Sequence, residues 1–180
     1  SISEDYSENL YSKVINSDID NLKFLRQKFP IKEIDSAVQS IVQAERVYVI
    51  GMRTSFAAAV LLDHYLNHIG ISSELLDSQA GRLLDRAIHI WSKDMTIGIS
   101  FPRYTKQTVE ILQYAKTKHC NTIVITDTVL SPAAPFADII ITAEYQTPIP
   151  FHSYVSVLSI IHCLIFGISI NKRKQSIDFM

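Results

Sequence analysis

The chain has 180 residues, 47% of them apolar and 19% charged, with a formal net charge of −1. That length suits one domain, and the composition supports a buried core and excludes a disordered chain. The near-neutral charge excludes the global basic surplus of a nucleic-acid-binding domain. The one local surplus, NKRK at 171–174, is expected to be a solvated basic tail. Cys120 and Cys163 lack metal spacing and are expected to be reduced thiols of a cytosolic protein. No leader pattern opens the sequence, and an initial serine leaves room for the chain to be one piece of a longer protein.

Residues 4–44 carry apolar residues at helical spacings: Leu10, Val14, Ile15, then Leu22 and Leu25, then Ile34, Val38, Ile41 and Val42. Pro30 breaks this run, and Asp18 and Asp35 read as helix starts, so two or three helices are expected. From residue 46 the rhythm changes. RVYVIG (46–51) predicts a strand, and TSFAAAVLLDHYLNHIG (54–70) a helix stopped by Gly70. ISSELL (71–76) predicts a strand and 79–89 a helix. MTIGIS (95–100) is a third strand, TKQTVEILQYAKTK (105–118) a helix, NTIVIT (121–126) and ADIIIT (137–142) two more strands, and 153–170 a final helix. That last stretch is the most apolar, but it is short for a membrane span of roughly 20 apolar residues. It also holds serines and a histidine, so a buried core helix or subunit interface is expected.

Strands alternating with helices imply parallel crossovers, and continuous apolar strands imply a sheet covered on both faces. The expected fold is α/β: a three-layer αβα sandwich with a five-stranded parallel sheet of doubly wound, flavodoxin-like type. An N-terminal helical lead-in over 1–45 is expected to pack on the core formed by 46–180, making one structural unit.

In such a sheet, ligands bind at the carboxyl ends of the strands. The first strand ends in Gly51, Met52, Arg53, Thr54 and Ser55; the third in Ser100, Phe101, Pro102, Arg103, Tyr104 and Thr105; the fourth in Thr126, Asp127, Thr128 and later Ser131. Two of these corners pair an arginine with hydroxyls and open a helix. Unpaired N–H groups and the dipole at a helix start attract anions, hydroxyls add short donors, and arginine adds a planar fork for phosphate or carboxylate. The candidate anion-binding residues are Arg53, Thr54, Ser55, Ser100, Arg103, Tyr104, Thr105 and Asp127. The plainer alternative is that Thr54 and Thr105 only cap helices while the arginines lie on the surface. No cofactor is expected, because the five glycines form neither a GxGxxG nor a GxxxxGK array. No metal is expected either: His64 and His68 stand one helical turn apart, and Asp63 faces elsewhere.

VYVIGMRTS, then TIGISFPRYT, then TIVITDTVLSPAAPFADIIIT resemble, in that order, the phosphosugar-binding SIS (sugar isomerase) domain. The likeness spans about 35–170 and is greatest to the effector domain at the C-terminal end of RpiR-type transcriptional regulators. The family's usual first loop resembles G-x-G-x-S, matched by Gly51 and Ser55 with Arg53 at the second glycine. Its phosphate loop resembles S-x-S-G-x-T, matched by Ser100 and Thr105 with Pro102 and Arg103 inside. Glycine brings a backbone N–H close to phosphate at low cost and arginine does not, so an unusual anion, or one held differently, is expected; the alternative is a ligand-free variant in which Arg103 bridges subunits.

The resemblance implies an effector-sensing module that binds a phosphosugar or similar anionic metabolite. It would work as a homodimer or higher oligomer, in the cytoplasm and away from membranes, with DNA contacted only through a helix-turn-helix on an absent segment. An aldose–ketose isomerase is the alternative. Its acid–base candidate is His152; Glu74 and Asp77 border the second strand without distinction. A pure assembly module is a third reading.

Overall fold

In the computed structural model, the described residues are 2–77 and 83–178, with side chains described for 9–77 and 83–173. The chain runs α1 (Ile2–Gln27), α2 (Ile31–Gln43), β1 (Val47–Gly51), α3 (Ser55–His68), β2 (Ser73–Leu76), α4 (Leu83–Ala87), β3 (Met95–Ser100), α5 (Lys106–Thr117), β4 (Asn121–Thr126), β5 (Ile139–Thr142) and α6 (Val155–Asp178). A 3₁₀ turn at Ala134–Phe136 precedes β5. All strand pairs are parallel, in the order β2-β1-β3-β4-β5. This is the expected three-layer α/β fold.

Alternation along the strands assigns side chains to the two faces. Val47 and Val49 join Ile97, Ile99, Ile123, Ile125 and Ile141 beneath α2, α3 and α6. Tyr48 and Ile50 point the other way, with Leu76, against α4 and α5. Burial on both faces is what the uninterrupted apolar strands require.

Several boundaries differ from those expected. Helix α1 is continuous through Asp18, and α2 through Asp35, so neither aspartate starts a helix. The α2 start falls instead at Pro30, which has no N–H to leave unpaired. Asp18 bonds across the fold: its carboxylate accepts the Ser153 hydroxyl at 2.6 Å, tying α1 to the segment before α6. Residues 79–82 of the helix expected over 79–89 lie outside the described residues. Helix α6 runs eight residues past the expected end. Within its basic tail, Lys172 donates to the carbonyls of Ile69 and Gly70 at 3.0 and 2.9 Å, so it caps the C-terminus of α3 rather than standing in solvent.

The span Val155–Arg173 is long and apolar enough to cross a membrane by length and composition. In the fold, its Val157, Ile160, Ile161, Leu164 and Ile168 are buried in the core beneath the sheet. Gly167 lets α2 approach, since a Cβ there would come within 2.8 Å of Val38.

The late string TDTVLSPAAPFAD (126–138) divides into two functions. Asp138 sits at the start of β5, at the amino edge of the sheet, where its carboxylate accepts the N–H and hydroxyl of Thr122 at 2.9 and 3.0 Å. It also pairs with Lys116. Burial pushes its pKa up, but the Lys116 ammonium and the Thr122 donors outweigh this, and the group is held below the ordinary range. This end of the string holds the sheet together, on the edge opposite the loops that carry Arg53 and Arg103.

Gly51 closes β1 against α3. A Cβ there would lie 2.6 Å from the carbonyl oxygen of Ser55 and 3.1 Å from the Ala59 methyl group. Gly51→Ala is therefore expected to lower stability by about 1–3 kcal/mol, read as a lower urea midpoint at unchanged slope.

Candidate functional site

The sheet order reverses between β1 and β3: the chain leaves β1 towards β2 on one side and β3 lies on the other. The register pairs Gly51 with Ile99, so the loops after these two strands emerge side by side. That reversal point is where an open parallel sheet forms its ligand crevice. A cavity of about 160 Å³ lies there, lined by Met52, Arg53, Thr54, Ser55, Ser100, Phe101, Pro102, Arg103, Thr105 and by Pro150, Phe151 and His152. Its position, over the carboxyl ends of two adjoining strands, is that of a small-molecule site in this kind of sheet.

Of the eight residues singled out in the sequence, six meet in this cavity: Arg53, Thr54, Ser55, Ser100, Arg103 and Thr105. Tyr104 and Asp127 do not line it. They pair with each other, the phenol donating to both carboxylate oxygens at 2.9 and 3.0 Å. Burial, then the Asp127 hydrogen bond and charge, push the Tyr104 pKa up to about 12. Their pairing ties the β3 loop to the β4 loop.

Arg53 and Arg103 both occupy the left-handed region, at φ 57° and 63°. They stand where the resemblance places glycines, so the backbone shape expected of glycine is kept while the side chain is not. Each such residue costs about 1–2 kcal/mol. The guanidiniums are exposed, and neither makes an ion pair or hydrogen bond with any described residue. Among the described residues, no carboxylate lines the cavity.

The hydroxyls divide sharply. Ser100 is 3% exposed, and its Oγ has no hydrogen-bond partner among the described residues. A buried donor without a partner loses its hydration, so it gains most from a ligand that supplies one. Thr105 is the extended N-cap of α5, but its side chain caps nothing. Thr54 likewise makes no side-chain cap. The capping alternative therefore does not describe these two threonines. The Thr54 and Ser55 hydroxyls lie 3.1 and 2.9 Å from the phenol of Tyr154.

Tyr154 belongs to a segment that sequence reasoning undervalued. Residues 145–154 leave the carboxyl end of β5 and return across the mouth of the cavity. Phe101 packs edge-on against Tyr145 and Tyr154, and Tyr145 edge-on against His152. His152 Nε2 lies 3.1 Å from the Pro102 carbonyl, which can only accept, so this nitrogen carries the proton. The available signal was PIPFHSY (148–154): prolines and aromatics leaving the carboxyl end of a fifth parallel strand. The isomerase candidates Glu74 and Asp77 lie elsewhere, facing Arg86 at 3.8 and 3.9 Å. His64 and His68 stack with ring centroids 6.3 Å apart on the exposed side of α3.

A family model for the SIS domain matches residues 40–166. The chain belongs to the SIS-domain family. The sugar isomerase domain of an RpiR transcription factor from Sphaerobacter thermophilus is 29% identical, with a TM-score of 0.87 over 95% of this chain and 99% of that one. The Vibrio vulnificus NanR protein, solved with ManNAc-6P, shares the fold at 16% identity and a TM-score of 0.72, over 97% of this chain and 70% of that one. An uncharacterised HTH-type transcriptional regulator of Haemophilus influenzae is 23% identical over 111 residues, or 62% of this chain. The chain spans 38% of that curated relative's length.

Because Tyr104 ionises in the folded protein only near 12 rather than at its ordinary 10, its contribution to stability is complete below pH 10 and lost as pH rises from there through about 12. Asp127→Asn, by removing the facing charge, is expected to move this ionisation down towards 10. Ultraviolet difference titration of variant against wild type checks it.

Proposed function

We propose that this chain is the effector-sensing SIS domain of an RpiR-type transcriptional regulator. It binds a phosphosugar or similar small anionic metabolite over the carboxyl ends of β1 and β3. The single observation that carries this reading is the buried, unpartnered Ser100 hydroxyl in a cavity flanked by two unpaired arginines. The Ser100–Thr105 loop and the start of α5 would hold the phosphate, with N–H groups of the first helical turn as further donors. Arg53 would approach from the β1 loop. The phosphosugar in the NanR structure supports the choice of ligand class.

DNA contact would lie on a helix-turn-helix outside this sequence, as the match to part of an HTH-type regulator supports. The route from ligand to that segment would be the 145–154 strap. Its Phe151 and His152 line the cavity. At its other end, the Gln146 carbonyl accepts the Ser17 hydroxyl and the Asn21 amide of α1 at 2.9 and 2.7 Å, while Ser153 donates to Asp18. A ligand that favours one strap position would bias α1, provided its affinity for the two positions differs.

The domain would act as a cytoplasmic homodimer. Tyr11, Ile15, Ile19 and Leu22 form an outward apolar stripe on α1 at 70%, 59%, 42% and 38% exposure, the kind of surface that a second subunit covers. Ile15→Glu with Ile19→Glu is expected to shift the mass in light scattering towards the monomer.

For an isomerase, His152 is the acid–base group among the described residues that line the cavity, with its Nε2 proton already engaged by Pro102. The sensor reading needs no such group.

Ser100→Ala separates ligand binding from folding. Removing an unpartnered buried hydroxyl is expected to leave stability unchanged or raise it by up to about 1 kcal/mol. Affinity for sugar phosphates should fall about tenfold. Thermal melting and calorimetric titration with a phosphosugar panel that includes ManNAc-6P provide the readouts. Equal affinity of variant and parent would refute the assignment of the phosphate to Ser100.

A further inference from the structure

We infer that the metabolite carries a second anionic group besides its phosphate: a phosphorylated sugar acid or a sugar bisphosphate, held with one anion at each loop. This rests on the reading of the cavity as a phosphosugar site and specifies the ligand class.

The two sides of the cavity offer different chemistry. On the β3 side, Ser100, Thr105, Arg103 and the first turn of α5 together supply what one phosphate needs: short hydroxyl donors, a guanidinium and backbone N–H groups. On the β1 side, the hydroxyls suited to a neutral sugar end are partly committed within the protein. The Thr54 and Ser55 hydroxyls both lie on the Tyr154 phenol. What the β1 loop still presents is Arg53, a fixed cation with five N–H donors and no acceptor. A sugar hydroxyl meets it through single hydrogen bonds, whereas a carboxylate or phosphate meets it bidentately and with opposite charge.

Charge leads to the same conclusion. A sugar monophosphate brings roughly −1.5 to −2 at neutral pH. Arg103 and the α5 dipole supply most of what balances it. Arg53 then faces no carboxylate among the described residues that line the cavity, and Asp127 is turned to Tyr104. A second anion on the ligand completes the balance. The loops carrying the two arginines leave neighbouring strands, in register at Gly51 and Ile99. The two anions are therefore expected at opposite ends of one short carbon chain.

The test is calorimetric titration, at fixed pH and ionic strength, of matched pairs that share a skeleton. The pairs are glucose 6-phosphate with 6-phosphogluconate, erythrose 4-phosphate with 4-phosphoerythronate, and fructose 6-phosphate with fructose 1,6-bisphosphate. In at least one pair the two-anion member is expected to bind about tenfold tighter or more. The sugar-acid pairs against the bisphosphate pair decide between carboxylate and second phosphate. Arg53→Gly is expected to cancel that advantage, so that the two members of a pair bind alike. Glycine accepts the left-handed backbone at position 53, so this variant folds, as its melting temperature will show. Arg53→Lys should restore part of the advantage. If one-anion members bind as tightly as their partners, or if the advantage survives Arg53→Gly, the inference is overturned and the phosphosugar reading stands. If no member of any pair binds, the phosphosugar reading falls with it.

Discussion

The pairing of β1 with β3 is the contact on which the rest depends. These strands lie side by side though a whole crossover, α3–β2–α4, separates them in the chain. The pairing makes the sheet reverse its order, and the reversal opens a gap between the helices that follow the two strands. Each loop alone is a turn with an arginine. Set beside each other, they become two walls of one cavity, with two helix starts and two guanidiniums facing the same small volume. Gly51 holds one wall in place by letting α3 approach β1 more closely than any side chain would allow.

The left-handed backbones at Arg53 and Arg103 have the shape of the glycines that the family resemblance places there. The third non-glycine residue with positive φ among those described, His119, follows the end of α5, a common place for that conformation. The two arginines instead sit at the cavity. A side chain in that region costs about 1–2 kcal/mol per position. What replaces glycine's freedom is fixed positive charge.

Around the cavity, polar contacts link parts of the chain that are far apart in sequence. Tyr104 with Asp127 joins the β3 and β4 loops, and Tyr154 with Thr54 and Ser55 joins the β1 loop to the strap. Ser153 with Asp18, and Gln146 with Ser17 and Asn21, joins the strap to α1. Asn21 is 4% exposed, so its amide depends on the Gln146 carbonyl for its hydrogen bond. The first helix is thus connected to the cavity by directional bonds as well as by packing, although more than 100 residues separate the partners.

The sequence alone determined the layers, the strands and the edge of the sheet at which the cavity lies. Apolar runs such as MTIGIS and NTIVIT can be satisfied only between two covering layers, and a strand end followed by hydroxyls and arginine is a local pattern that needs no partner to be read. It also marked six of the cavity's residues, because each lies within five positions of the end of β1 or β3. Tertiary structure decided what depends on partners distant in the chain. Tyr104 and Asp127 bear the right chemistry for an anion site, yet they bond to each other because β3 and β4 are neighbours. Asp18 looks like a helix start but accepts a hydroxyl 135 residues away, and Lys172 looks like a solvated tail but caps a helix about 100 residues upstream. Tyr154 and the strap reach the cavity only because β5 ends on the same edge as β1 and β3. Local propensity fixes where a chain can bend and what it must bury, while the pairing of a polar side chain is settled by whichever neighbour the folded sheet delivers.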